Sequence, residues 1–197
     1  KPVADRYLKS LQESLVERGY ANPIYLMQSN CGITTFERSL QMPISMVESG
    51  PSSGVWGAAE IGRLIGHSNV IALDIGGTTA KCSLIENGEI RITSDYWLER
   101  TRTTSGYPIM VPVVDIVEIG NGGGSIAWID DFGKMHVGPR SAGANPGPAA
   151  YGRGGDNATT TDAQLYLGRI NKEYFCGGEI VADMGAVETS LGRLGGE

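Results

Sequence analysis

The apolar run Val70-Ile71-Ala72-Leu73 is cut by Asp74-Ile75-Gly76-Gly77-Thr78-Thr79, and a second apolar segment resumes over 80–85. Paired glycines followed by β-branched threonines disfavour a continuous helix, because glycine loses most backbone freedom there and threonine crowds the preceding turn. The pattern therefore predicts a strand, a tight polar turn and a returning strand. Gly76 and Gly77 carry no side chain, so amides in such a turn can approach phosphate oxygens, and Thr78 and Thr79 add hydroxyl donors. Asp74, at the strand end, can hold a magnesium ion through oxygen or water contacts. A hairpin turn carrying a surface aspartate fits the same residues.

This turn belongs to a wider bias, since 29 of the 197 residues are glycine, about twice the usual fraction. The glycines are clustered, which points to specific loops. In Gly120-Asn121-Gly122-Gly123-Gly124-Ser125, residues Gly122, Gly123, Gly124 and Ser125 can form a second nest of amides around an anion, or equally a bulge or crowded strand crossing. Ser49-Gly50-Pro51-Ser52-Ser53-Gly54 can bring a helix N-terminus to an anion, or be an ordinary capped helix start with Ser52 or Ser53 as the cap.

Around these loops the chain reads as α/β. Residues 5–18 place Leu8, Leu11, Leu15 and Val16 on one face of an amphipathic helix ending at Gly19, and 24–27 follow as a short strand. Residues 55–65 form a helix with small Gly57, Ala58, Ala59 and Gly62. Asn87-Gly88 is a hairpin signal that returns a third strand over 90–92. Further strands are expected over 109–114, 116–119 and 126–129, with a hairpin through 130–133. Residues 137–156 read as a long ordered loop, and Thr161-Asp162 as the entrance to a helix containing Leu165, Leu167 and Ile170. Residues 192–197 offer no core contribution. The expected division is a helix-rich entry segment, 1–68, and a β-rich segment with the glycine loops, 69–197, either as two parts or as one continuous domain.

Sixteen basic against 22 acidic residues give a net charge of −6, which excludes a nucleic-acid partner held mainly by counterion release. Cys31, Cys82 and Cys176 are far apart and odd in number, the pattern of reduced thiols rather than a zinc site or disulfide scaffold. No apolar run is long enough for a membrane span and no leader-like stretch opens the chain, so the expectation is a cytoplasmic protein without a membrane partner. Neither G-x-x-x-x-G-K-[ST] nor a strand-linked G-x-G-x-x-G occurs. His67 and His136 are isolated, and no Ser/His/Asp set or metal cluster can be assembled from spacing.

The ordered blocks Ser49-Gly50-Pro51, Asp74-Ile75-Gly76-Gly77-Thr78, Gly122-Gly123-Gly124-Ser125-Ile126-Ala127, Val137-Gly138-Pro139-Arg140-Ser141-Ala142-Gly143-Ala144-Asn145-Pro146-Gly147-Pro148, Tyr151-Gly152-Arg153-Gly154-Gly155 and Thr161-Asp162-Ala163 closely resemble the hydantoinase A/5-oxoprolinase family. The resemblance implies an actin-like ATPase (ribonuclease H-like) lobe with β-hairpins and a long Gly/Pro-rich loop, part of a larger two-lobed polypeptide. It implies ATP and Mg2+ as cofactors, and phosphorylation of a carbonyl oxygen in a small cyclic amide or imide that is then hydrolysed. Relatives use the same machinery to carboxylate ketones. Asp74 is then the magnesium or water contact and the catalytic candidate. Gly76, Gly77, Thr78 and Thr79 are the phosphate contacts, and Gly122, Gly123, Gly124 and Ser125 further members of the nucleotide cleft. The expected partners are the other lobe of the same polypeptide and a second enzyme subunit, without which this stretch is inactive. A non-catalytic actin-like nucleotide-binding module and a small-molecule kinase are the alternative readings. Where family members often carry T-S-T-D after the paired glycines, this chain has Thr78-Thr79-Ala80-Lys81, a basic residue at the acidic position.

Overall fold

The computed structural model describes residues 2–98 and 103–196. In chain order the helices are α1 (Pro2–Glu17), α2 (Phe36–Gln41), α3 (Ser49–Leu64), α4 (Thr160–Tyr166) and α5 (Met184–Gly195). The strands are β1 (Tyr25–Met27), β2 (Ile33–Thr35), β3 (Val70–Ile75), β4 (Ala80–Glu86), β5 (Glu89–Ile90), β6 (Ile92–Thr93), β7 (Tyr96–Leu98), β8 (Tyr107–Ile109), β9 (Val113–Val114), β10 (Val117–Ile119), β11 (Ser125–Ile129) and β12 (Met135–Ser141). The largest sheet has the order β10-β4-β3, with β5 also paired to β4. The chain forms two compact units, one from 1–73 and 82–117, the other from 74–81 and 118–197. This partition differs from the sequence division at 68/69, because 82–117 packs with the helical N-terminal part while the turn after β3 packs with the C-terminal part.

In the first unit, Val55 of α3 meets Ala72, Ile85 and Val114 in a core completed by half-buried Ala58, Ala59 and Ile90. A Cβ on Gly62 would lie 2.7 Å from a Val70 methyl carbon and 2.8 Å from the His67 carbonyl oxygen, so that α3 position must stay small. Ser52 and Ser53 do not cap α3, which begins earlier, after Glu48. Ser52 is buried, donating to the Ser29 carbonyl at 2.9 Å, and Ser53 donates back to the Ser49 carbonyl at 2.7 Å. The strand expected over 90–92 divides at Arg91: Glu89–Ile90 stays on β4, whereas Ile92–Thr93 pairs with β9. The strand expected over 109–114 also divides, β8 pairing with β7 and β9 with β6. Pro112, which lacks an N–H for a ladder, stands between them.

In the second unit, β11 and β12 form an antiparallel hairpin with an irregularity between Ser125 and Ala127. Asp130 makes its turn, accepting from the Phe132 amide at 3.0 Å and the Lys134 amide at 2.9 Å. Because β12 runs to Ser141, the first five residues of the expected 137–156 loop are strand, held by ladder bonds to β11. Helix α4 is shorter than the apolar pattern suggests; Gly168 follows its end at φ +68°, a left-handed conformation that suits glycine. Helix α5 has no counterpart in the sequence reading, which expected only that 192–197 adds nothing to the core; the buried residues of the helix are Val187 and Ser190. It starts at Asp183, whose carboxylate caps the Ala186 amide at 2.9 Å, and it buries Val187 against Ala150, Leu165 and Phe175. No helix among the described residues is long and apolar enough to cross a membrane.

Candidate functional site

The turn between β3 and β4 is closed by the Gly76 amide donating to the Thr79 carbonyl at 2.9 Å. That bond leaves Gly77 and Thr78 exposed at its tip, with Thr79 half-buried behind them. The glycine triplet fastens this turn: Gly123 donates to the Gly76 carbonyl at 2.9 Å and Gly124 to the Gly77 carbonyl at 2.6 Å. Its own carbonyls are used as well. Thr161 at the start of α4 donates to Gly123 at 2.8 Å, and Ala142 after β12 donates to Gly124 at 2.8 Å. Gly122 donates to the buried Ser125 hydroxyl at 2.8 Å.

The triplet is thus a backbone junction rather than an open nest, since the amides of Gly122, Gly123 and Gly124 are all spent internally. Sterics demand glycine there. A Cβ on Gly122 would stand 2.6 Å from the Gly76 oxygen and from two Thr78 backbone atoms, and one on Gly123 would stand 2.9 Å from the Thr161 hydroxyl.

The junction draws three segments around a cavity of about 250 Å3. Gly77, Thr78, Gly123, Gly124 and Thr161 supply its polar lining, and Gly143, Ala144, Pro148 and Tyr151 the remainder. Among the described residues no charged side chain lines it. Amides at the turn tip and two threonine hydroxyls form a neutral donor set, the chemistry that suits an oxyanion. Room also exists at the tip, because a Cβ on Gly77 or Gly143 would meet nothing within 4 Å.

The other residues singled out from sequence lie off this lining. Asp74 is exposed at the end of β3, and Gly76, Thr79, Gly122 and Ser125 stand behind the cavity surface. Lys81 pairs with Glu118 at 3.7 Å with its side chain only 18% exposed. Arg153 lies over the Tyr151 ring at 5.6 Å, behind a cavity residue, and Arg140 is exposed. His136 pairs with Asp130 at 2.7 Å and stacks on Trp128, ring centroids 4.6 Å apart, at the far end of the β11–β12 hairpin. The His136 hydrogen bond, followed by that from the Lys134 amide, holds the Asp130 carboxyl below its ordinary value. Ser49–Gly54 is the first turn of α3 in the other unit. Among the described residues no group of three or more His, Cys, Asp or Glu side chains is placed to hold a metal. A magnesium ion would have to complete its shell with water and phosphate oxygens, as that ion commonly does, with Asp74 the carboxylate expected from the sequence to contact it.

Sequence reasoning did not assign Thr161, Ala144, Pro148 or Tyr151 to the cavity. Their convergence depends on the triplet's long-range hydrogen bonds, which no local pattern encodes.

The whole chain, residues 1–197, matches the family model described as hydantoinase/oxoprolinase. It is 38% identical over 179 residues to caprolactamase subunit alpha of Pseudomonas jessenii, covering 91% of this chain and 25% of that protein. The crystal structure of the ATP-dependent caprolactamase from Pseudomonas jessenii is similar at TM-score 0.72 and 35% identity, over 96% of this chain and 27% of that one. A nucleotide-free structure of acetone carboxylase is similar at TM-score 0.79 and 26% identity, over 97% of this chain and 26% of that one. The chain spans about a quarter of the length of these relatives. With a mixed α/β architecture shared with both structures and a family match along its full length, this chain belongs to the hydantoinase/oxoprolinase family.

Proposed function

We propose that this chain is the phosphate-loop portion of an actin-like lobe in an ATP-dependent enzyme that opens a small cyclic amide. The observation that carries the reading is the neutral cavity in which Gly77, Thr78 and Thr161 converge. Its turn is held rigid by the glycine triplet and its tip is open. Amides and hydroxyls fixed before a ligand arrives stabilise charge without reorganisation, and one such donor typically contributes a factor of about 10²–10³ in rate. When bound, ATP would give its γ-phosphoryl group to an amide carbonyl oxygen, making that oxygen a better leaving group and releasing ADP, and magnesium would neutralise polyphosphate charge. Within this chain, the Gly77–Thr78 tip and the Thr161 hydroxyl orient the phosphate oxygens. Ala144, Pro148 and Tyr151 exclude water from one side, and Asp74 would hold the magnesium ion directly or through water.

Similarity to the ATP-dependent caprolactamase of Pseudomonas jessenii supports a cyclic amide as substrate. Ketone carboxylation is the second reading, favoured by the TM-score of 0.79 to acetone carboxylase. A cytoplasmic, multisubunit enzyme is part of the same proposal, with the rest of a longer polypeptide and a second subunit as partners. Exposed apolar surface supports it. In the first unit Ile61, Leu64, Ile71, Leu73 and Leu84 are all exposed, the kind of surface a larger assembly covers.

The test is calorimetric titration of the chain with ATP, with magnesium and with EDTA. The native chain binds more tightly with magnesium, and Asp74→Ala removes that difference while leaving magnesium-free binding unchanged. An undiminished magnesium effect in folded Asp74→Ala eliminates the metal assignment. Turnover of a lactam by this chain alone would refute the dependence on a second lobe.

A further inference from the structure

Asp162 is fully buried, at 0% exposure, and forms no ion pair among the described residues. Its carboxylate instead accepts four hydrogen bonds. Oδ2 takes the Thr159 amide at 2.9 Å and the Thr159 hydroxyl at 2.7 Å, which together with the Asp162 amide donating to the Thr159 hydroxyl oxygen at 3.3 Å make the capping box of α4. Capping leaves the rest of the carboxylate unexplained. Oδ1 accepts from the Ala150 amide at 2.8 Å, and Oδ2 takes a weaker third bond from the Ala149 amide at 3.3 Å. Ala149 and Ala150 lie in the short helical turn between Pro148 and Tyr151, two cavity residues, and Thr161 beside Asp162 is a third. The Ala150 carbonyl then receives the Asp183 amide at 3.0 Å, carrying the same tie to the cap of α5.

From this division of labour we infer that Asp162 is a positioning residue. Oδ2 starts α4, and Oδ1 clamps the Pro148–Tyr151 turn to it, fixing Thr161 against the Pro148 and Tyr151 wall. A buried carboxylate without a counter-cation persists only where hydrogen bonds replace its hydration, and here three of its donors come from backbone at fixed positions. That the cavity so shaped takes a phosphate-bearing ligand rests on the function proposed above. The clamp itself does not.

The two oxygens can be separated by one substitution. In Asp162→Asn the side-chain oxygen keeps the position facing three donors, and the NH2 group replaces Oδ1, setting donor against donor at Ala150 while the capping box survives. The experiment measures amide exchange by NMR and Mg-ATP affinity by calorimetry on the native chain, Asp162→Asn and Val187→Ala. The last of these loosens the core of the same unit without touching the clamp. Expected in Asp162→Asn are Ala150 exchange faster by about 10- to 100-fold, unchanged exchange at Ala163 within α4, and Mg-ATP affinity about tenfold weaker, with affinity retained in Val187→Ala. Unchanged Ala150 exchange in folded Asp162→Asn overturns the clamp. Equal loss of affinity in Val187→Ala overturns the positioning role. If Asp162→Asn does not fold, the native chain decides: Ala150 protection above about tenfold over a free peptide supports the clamp, and less overturns it. Failure of the native chain to bind Mg-ATP defeats the proposed function, and the exchange result still judges Asp162.

Discussion

Replacing Gly122 with alanine tests the backbone junction. Gly122 does not occupy a left-handed conformation, so an added methyl carries no backbone penalty; its cost is steric. The new Cβ would stand 2.6 Å from the Gly76 oxygen and from the Thr78 nitrogen and carbonyl carbon, about 0.8 Å inside ordinary contact. All three obstacles are backbone, so no side chain can rotate away. Relief requires the triplet and the turn to separate. That separation strains the Gly123-to-Gly76 and Gly124-to-Gly77 bonds at 2.9 and 2.6 Å. Overpacking of about 1–3 kcal/mol and two hydrogen bonds of about 0.5–1.5 kcal/mol each give a loss of about 2–6 kcal/mol, a fall in Tm of about 4–24 °C at this size. Gly57→Ala is the matched control. A Cβ there meets nothing within 4 Å inside α3, and the helix gains about 0.5–1 kcal/mol. Urea denaturation and calorimetry of the three proteins measure both effects; a Gly122→Ala protein within about 0.5 kcal/mol of native would refute the junction.

Two further outcomes follow from local electrostatics and burial. Asp130 has its carboxyl held below the ordinary 3.8, first by the His136 hydrogen bond. Its contribution to the hairpin is therefore fully present above that ordinary value and is lost as pH falls through the depressed one. Carbon-13 titration should place Asp130 below 3.8 and higher in His136→Ala; equal values in the two proteins contradict the assignment. Burial raises the Cys31 thiol above its ordinary 9.0, and its Sγ donates to the Ser52 carbonyl at 3.3 Å, whereas Cys176 is exposed. At pH 8, iodoacetamide followed by peptide mass analysis should modify Cys176 at least about ten times faster than Cys31; comparable rates would contradict the described burial.

Features written in adjacent residues were legible. The β3–β4 turn follows from paired glycines between apolar runs. The 130–133 hairpin follows from its turn residues, and α1 from its leucine spacing, with observed bounds Pro2–Glu17 against the expected 5–18. Features that depend on distant partners were not legible. Arg91 ends a strand because the next two residues pair with β9 rather than β4. The triplet Gly122–Gly124 carries the composition of an anion nest, yet its amides are claimed by carbonyls and a hydroxyl within the fold. Helix α5 was hidden by Gly185, Gly192 and Gly195, which weaken a helical pattern; packing of Val187 and the Asp183 cap override them. Asp162 was recognisable as a helix-start residue, but its second oxygen bonds to Ala150, twelve positions earlier.

The central claim is that the Gly76–Thr79 turn receives phosphate oxygens, and Gly77→Val tests it most directly. The site tolerates a side chain structurally, with nothing within 4 Å of an added Cβ, so the variant should keep its Tm within about 2 °C of native, a stability change of less than about 1 kcal/mol. The measurement is calorimetric titration of both proteins with Mg-ATP. The account predicts saturable binding by the native chain and a dissociation constant at least about tenfold higher in Gly77→Val, equivalent to about 1.4 kcal/mol of lost contact. A folded Gly77→Val protein that binds Mg-ATP as tightly as native would contradict it.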